Sequence, residues 1–288
     1  KMNYCGPACL TMVLNSWDEA RSFSQQKIAD EIFDSGSKAT YNSELVLYPR
    51  TQGFESYSFQ GSLAILKDLI RKDIPVIVLT KTIKQVAKGH YRVVIGFDDD
   101  AGQIIFHDPY FGGRRAMKVK SFMKVWELGK GRNQSRWMMT VVPGQSSFPF
   151  PAFQNDPLTS INLATAYYRR SDFVRSKEEW GKVRESLGGD PYALYSLGMV
   201  SLRQGRLDEA EAYALEALGL DEKSAYAHDV LGLARANQGK MLPALQSLGQ
   251  ALRLAPKEKF IRAHYLQVRA LYIEIGSAHV VTPVTSAH

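Results

Sequence analysis

Apolar residues recur at i, i+3, i+4 and i+7 over residues 225–237 and again over 242–254, with Gln238-Gly239-Lys240 between the two stretches. That spacing predicts two amphipathic helices joined by a glycine turn. A third stretch of the same kind, 259–275, follows Pro256 and can cover the apolar end that such a pair leaves open. The first half is patterned differently. Helical spacing near 6–16, 25–33 and 62–72 gives way to short β-branched runs near 74–80, 90–97, 103–107 and 136–142, which read as strands. Residues 43–52 are also helical in spacing, but Pro49 interrupts them. Helices first and strands later point to an α+β domain ahead of an all-α one.

The helical pattern of the second half repeats. Leu197-Gly198 and Leu231-Gly232 stand 34 residues apart, as do Gly205 and Gly239, Ala210 and Ala244, Ala217 and Ala251, and Leu220 and Leu254. One period earlier, Asp156-Pro157 precedes Asp190-Pro191, Leu163-Ala164 takes the place of Leu-Gly, and Trp180 fills a large-residue position. A period of this length, with small residues where two helices approach, resembles the tetratricopeptide repeat, a helix-turn-helix unit that stacks into a solenoid. The expected organisation is a domain over 1–144, a linker over 145–155, repeats with a capping helix over 156–276, and a disordered tail over 277–288. Phe148, Phe150 and Phe153 are expected to dock the Pro-rich linker on a surface.

Composition narrows the class. A chain of 288 residues, 45% hydrophobic and 23% charged, is long enough for two cored domains and matches neither a disordered nor a membrane composition. No apolar run reaches the roughly 18 residues that span a bilayer. Two cysteines, Cys5 and Cys9, are too few for a disulfide scaffold and lack the partners of a zinc site, so neither a metal nor a cofactor is expected. Residues 1–145 hold 20 Lys and Arg against 14 Asp and Glu, and carry most of the net charge of +7. Much of it lies between Arg114 and Arg136, which reads as a solvated basic face that could bias the chain towards acidic substrates. Nucleic acid is not favoured as a partner, because no nucleic-acid motif accompanies the charge.

The candidate chemistry lies in the first half. Tyr4-Cys5-Gly6-Pro7-Ala8-Cys9 leads into an apolar helical stretch with proline in its first turn. Cys5 therefore stands at a helix N-terminus, where unpaired backbone N–H groups and the helix dipole favour a thiolate. Cys9, one turn inside, lacks those donors. Gly89-His90-Tyr91 opens a Val-rich strand, Asp98-Asp99-Asp100-Ala101-Gly102 reads as a turn, and the next strand ends at Asp108-Pro109. If Phe97 lies opposite Gln103, Asp108 pairs with Arg92, two residues from His90 on the same face. Such diagonal neighbours are about 7–8 Å apart at Cα, a gap that a histidine and a carboxylate can bridge. His107 is adjacent to Asp108 in the strand and points to the opposite face, so it is not the expected base. The acidic turn lacks the further glycine-spaced acidic ligands and the distal glutamate of a calcium loop.

Cys5-Gly-Pro-Ala-Cys-Leu, Gly89-His90-Tyr91 and Asp108-Pro109, in that order, resemble the double-glycine-leader cysteine peptidases. This is the bacteriocin-processing family found at the N-terminus of peptide-exporting ABC transporters and in stand-alone relatives. The resemblance covers about residues 1–142 and implies a papain-like α+β fold in a bacterial protein. It further implies that Cys5 is the nucleophile, His90 the general base and acid, and Asp108 the group that orients the histidine. Family members place an oxyanion-stabilising glutamine about six residues before the cysteine, a position ahead of Lys1. An upstream segment is thus expected before Lys1; whether it carries a signal peptide is left open, and the compartment stays undetermined. No ATPase motif follows the domain, so cleavage coupled to export is not implied. The expectation is a peptidase acting through a thioester on a peptide or protein substrate, with the repeats holding substrate or a protein partner. A peptidase-like binding module, and amidase or acyl-transfer chemistry on the same three residues, stay open.

Overall fold

The computed structural model describes residues 4–81, 89–128, 135–144 and 151–280, the side chains of 151–152 and 275–280 excepted. Two compact units result, Lys1–Arg170 and Ser171–His288.

The first unit opens with α1 (Cys5–Trp17), a short 3₁₀ turn (Glu19–Arg21), α2 (Gln25–Ile32), a two-stranded ribbon of β1 (Phe33–Asp34) and β2 (Ala39–Thr40), and α3 (Asn42–Thr51). Pro49 does not break α3: it sits in the last turn, two residues before the final residue Thr51. Then come β3 (Phe54–Gln60), α4 (Leu63–Ile70), β4 (Val76–Thr80), β5 (His90–Asp98), β6 (Gln103–Asp108), β7 (Gly112–Lys118), α5 (Val119–Trp126) and β8 (Trp137–Pro143). Six strands form one sheet in the order β3-β8-β4-β5-β6-β7, every neighbour antiparallel.

Strand alternation sorts the core into two layers. Ile77, Leu79, Tyr91, Val93, Met139 and Val141 pack with α1, α2 and α3 on one face. Val76, Val78, Val94, Ile104, Phe106 and Met138 pack with α4 and α5 on the other. Burying both faces requires near-continuous apolar strands, which is why β4 reads Val-Ile-Val-Leu-Thr without a charge.

Three elements of this unit escape the apolar pattern. β3 buries Ser56 and Ser58 rather than aliphatic residues, and hydrogen bonds take the place of packing. Ser56 Oγ donates to the Val46 carbonyl at 2.6 Å. β7 is exposed along almost its whole length and holds its place through the ladder to β6. It carries Arg114, Arg115 and Lys118 of the basic run, charges that keep an open sheet edge from pairing with another chain. α5 is too short for its helical period to stand out, although it buries Phe122 and Trp126.

The opposite edge is closed from within. α6 (Pro151–Gln154) leads to α7 (Pro157–Arg169), which packs on α3 and β3. Thr159 Oγ1 accepts from the Ser58 amide at 2.9 Å and donates to the Ser58 carbonyl at 3.0 Å, so one hydroxyl substitutes for a neighbouring strand. Arg170 grips the buried Glu44 at 2.7 Å. The 34-residue period counts α7 with the repeats, whereas its packing lies with the sheet. Within the expected linker, Phe153 stacks on Phe59 at 4.5 Å, while Phe148 and Phe150 lie outside the described residues.

The second unit contains α8 (Phe173–Ser186), α9 (Pro191–Arg203), α10 (Leu207–Leu220), α11 (Ala225–Asn237), α12 (Met241–Leu254) and α13 (Lys259–Val280). Each first helix of a pair is capped by the residue before it: Asp190 accepts from the Tyr192 amide at 2.9 Å, and Ser224 from the Ala227 amide at 3.3 Å. The repeated Leu-Gly marks the closest helix contact. A Cβ on Gly232 would stand 2.5 Å from Leu248 Cγ, and one on Gly198 2.8 Å from Val230 Cγ1. α13 is tied to α11 by His264 Nδ1, 2.9 Å from the buried Asp229 Oδ2. It runs to Val280 and takes in 277–280, which the sequence pattern assigns to a disordered tail; helix propagation needs one more backbone bond per residue, not an apolar face. The rest of that tail, 281–288, lies outside the described residues. No helix among the described residues is long and apolar enough to cross a membrane.

Candidate active site

Three element ends converge: Cys5 is the first residue of α1, His90 the first of β5 and Asp108 the last of β6. Each is placed by a local feature. Gly89 adopts φ +141°, and a Cβ there would stand 2.7 Å from Leu79 Cδ1, so only glycine lets the chain enter β5 at this point. Thr80 then pairs with His90 across β4 and β5, and its hydroxyl donates to the His90 carbonyl at 2.9 Å.

Asp108 arrives by a register different in detail from the simple hairpin. The turn closes with Asp98, not Phe97, opposite Gln103, which leaves a turn of four residues, 99–102, where Asp98 Oδ1 accepts from the Ala101 amide. A bulge between Val94 and Gly96 absorbs the extra residue and restores Val93 opposite His107. Arg92, two residues from His90, precedes Val93 on β5 and Asp108 follows His107 on β6, and their side chains meet, Arg92 Nε 2.7 Å from Asp108 Oδ2.

The His90 and Asp108 side chains are buried, and Nε2 lies 2.8 Å from Oδ1. Asp108 is held further by the Tyr110 amide at 2.9 Å on Oδ1 and by Arg92 Nε at 2.7 Å on Oδ2. Burial alone would raise its pKa, but these donors outweigh burial and hold the carboxyl well below the usual carboxylate range. An ionised carboxylate only accepts, so Nε2 carries the hydrogen and Nδ1 is the basic nitrogen of the neutral ring. Nδ1 is buried and has no hydrogen-bond partner of good geometry among the described residues. Cys5 nevertheless stands close enough to act on the ring. Burial lowers the His90 pKa, while Asp108 and Cys5 raise it, and the balance lies above the ordinary imidazole value.

The two cysteines differ as their positions in α1 suggest. Cys5 is partly exposed and Cys9 is fully buried. Burial first, then the nearness of Cys5 and Asp108, pushes the Cys9 thiol well up and keeps it protonated. His107 faces away from this cluster and lies between Val93 and Arg114 in the sheet. Among the described residues no group of three or more His, Cys, Asp or Glu is arranged to hold a metal ion.

Two neighbours were not evident as site residues in the sequence. Arg92 is 3% exposed, two residues into β5 and directly before its apolar run Val93-Val94-Ile95. Its signal was a charge two residues after the histidine in a Val-rich run, where alternation puts both on one face. Tyr110 lays its ring 4.8 Å from the imidazole centroid and remains 44% exposed, forming a rim over His90. No pattern marks it, since it follows the end of a strand.

Residues 1–133 match the Peptidase_C39 like family, and residues 191–224 match the tetratricopeptide repeat. Solved structures similar to this chain include repeat domains. The second TPR domain of human RPAP3, in complex with the HSP70 peptide SGPTIEEVD, is 21% identical over 38% of this chain and 92% of its own, with a TM-score of 0.35. The Sgt2 TPR domain from Aspergillus fumigatus is 15% identical over 46% of this chain and 88% of its own, with a TM-score of 0.42. The Arabidopsis OM64 TPR domain is 18% identical over 40% and 94%, with a TM-score of 0.37. No curated protein matches the chain. The chain thus joins a Peptidase_C39-like α+β domain to a tetratricopeptide-repeat array.

Proposed function

We propose that the first domain is a cysteine peptidase of the double-glycine-leader type, with Cys5 as nucleophile, His90 as base and acid, and Asp108 as the group that orients His90. The observation that carries this reading is the buried imidazole of His90: Nε2 is committed to Asp108, Nδ1 has no partner of good hydrogen-bond geometry among the described residues, and Cys5 acts on the ring to raise its pKa. His90 Nδ1 takes the Cys5 thiol proton as Sγ attacks the substrate carbonyl carbon. The carbonyl oxygen gains negative charge at the N-terminus of α1, where the helix dipole is positive. The C–N bond breaks as Nδ1 returns the proton to the leaving amine, and a thioester remains on Cys5. Water then attacks the thioester and gives one proton to Nδ1, which passes it to sulfur as the C–S bond breaks; the new carboxylic acid leaves and loses its own proton to solvent. No cofactor takes part in these steps.

We further infer that the repeats hold a peptide or protein, either the substrate or a partner. Tyr192, Tyr226 and Phe260 stand one period apart, are 39%, 40% and 38% exposed, and form a row in which Tyr195 bridges Tyr192 to Tyr226 and Tyr226 stacks on Phe260. Aromatic rows of this kind offer large contact area at low conformational cost.

Peptides carrying a Gly-Gly site, incubated with the full chain and with Cys5→Ala, test the activity by mass spectrometry. Cleavage after the second glycine by the wild type alone supports the peptidase reading. Retention of the same peptides without cleavage by either protein would replace it with a binding module.

A further inference from the structure

Arg92 is an expensive residue for its place. It lies in β5 between Tyr91 and Val93, opposite Val78, and is 3% exposed. A guanidinium in such a layer must be paired on most of its hydrogens, and an apolar side chain of similar volume would satisfy packing better. Its contacts are instead directed at the residues around the histidine. Nε donates to Asp108 Oδ2 at 2.7 Å, Nη1 donates to Thr80 Oγ1, and the guanidinium carbon sits 5.5 Å from the Phe106 ring. The Thr80 hydroxyl passes its own hydrogen to the His90 carbonyl at 2.9 Å. These contacts close a loop across three adjacent strands, from the His90 main chain through Thr80, Arg92 and Asp108 back to the His90 ring.

We propose that Arg92 is a positioning residue of this site, clamping the Asp108 carboxylate so that Oδ1 faces His90 Nε2 purely as an acceptor. The proposal rests on the catalytic reading above. Among the described residues, Asp108 is approached by His90 and Arg92 from β5, by Cys9 from α1, and by Tyr110 from its own turn. Arg92 is the permanent cation of this set. Without it, the buried carboxyl takes up a proton at higher pH, and a protonated carboxyl can donate to Nε2. The ring hydrogen then moves to Nδ1, and that nitrogen can no longer accept a proton from Cys5. Arg92 acts through Asp108 and touches no substrate atom, which separates it from the catalytic groups themselves.

The test is the pH dependence of Cys5 alkylation by iodoacetamide in the full chain, for the wild type, Arg92→Met, Arg92→Lys and His90→Asn, with circular dichroism recording the folded fraction. The limb of the alkylation profile set by the His90 imidazolium is expected to move down by about one pH unit in Arg92→Met, since the ionised Asp108 that raises the His90 pKa is lost. Arg92→Lys keeps the charge but not the planar fork, so a smaller downward move is expected. A purely structural role for Arg92 would lower the folded fraction and leave the limb of the folded molecules in place, which overturns the proposal. If Arg92→Met does not fold, an unmoved limb in Arg92→Lys overturns it equally. An unchanged profile in His90→Asn removes the catalytic reading and this proposal with it. A changed profile there, beside unmoved limbs in both Arg92 variants, removes the Arg92 assignment alone.

Discussion

His90 opens β5 and Asp108 closes β6, and the 2.8 Å between Nε2 and Oδ1 depends on a bulge between Val94 and Gly96 that lies several residues from either of them. Without that extra residue, the turn at 99–102 would leave the two strands one step out of register, and a one-step slip sends every side chain to the other face. The contact is therefore a property of the whole hairpin. It ties the chemistry proposed for the site to the geometry of a turn at the far end of the sheet.

Labelling should distinguish the cysteines. Cys5 is partly exposed beside His90, while Cys9 is buried with its thiol pKa raised by burial. Iodoacetamide should modify wild type and Cys9→Ala at similar rates, and Cys5→Ala on the order of 10²-fold more slowly. Rapid labelling of Cys5→Ala, located by peptide mapping, would contradict the assignment of Cys5 as the reactive thiol.

Asp108→Asn should separate orientation from charge. The amide can keep the contact to Nε2 but no longer forces the ring hydrogen onto that nitrogen. Peptide cleavage should fall on the order of 10²–10⁴-fold with little change in KM. A loss confined to KM would place Asp108 in substrate binding instead.

The same pair gives a stability profile. The Asp108 pKa is lowered, so its contribution is present above the ordinary carboxylate value of about 3.9 and is lost as pH falls through the depressed one. The His90 pKa is raised, so its contribution is present below about 6.5 and is lost as pH rises through the raised value. The difference in urea midpoint between wild type and Asp108→Asn should therefore be largest between about pH 4 and 6.5. A difference that is flat across this range would show that the pair is not coupled to folding.

Gly89→Ala should damage the site without touching it. The added Cβ meets Leu79 Cδ1 at 2.7 Å in a backbone conformation that disfavours side chains. A loss of about 1–3 kcal/mol is expected in denaturant melts. Activity per folded molecule should fall as well, because His90 is the next residue. Full activity in the folded fraction would mean that β5 can begin elsewhere.

Thr159→Val keeps the shape of the side chain and removes both hydrogen bonds to Ser58. The Ser58 amide is left buried on an edge strand without its partner, at an expected cost of about 1–3 kcal/mol. Amide exchange at Ser58 should speed up more than exchange elsewhere in β3. Equal protection in both proteins would show that another group covers the edge.

The sequence by itself determined the parts that depend on local order. The 34-residue period, the Asp-Pro helix starts and the Leu-Gly contacts specify stacked helical pairs, because each rule acts within one or two turns of helix. The cysteine before Gly-Pro and the histidine before a Val-rich strand were equally legible, since a helix start and a strand start are written in adjacent residues. Tertiary structure decided what those ends meet. Arg92 could be placed on the face of His90 by alternation, but its grip on Asp108 and Thr80 required three strands in register. β3 and β7 were illegible because their stability comes from partners distant in the chain: Thr159 lies 101 residues from Ser58, and β7 is held by its ladder to β6 rather than by an apolar face. The same reason moved α7, whose sequence counts it with the repeats, onto the sheet edge. Periodicity reports which face of an element is apolar, and only packing decides what covers it.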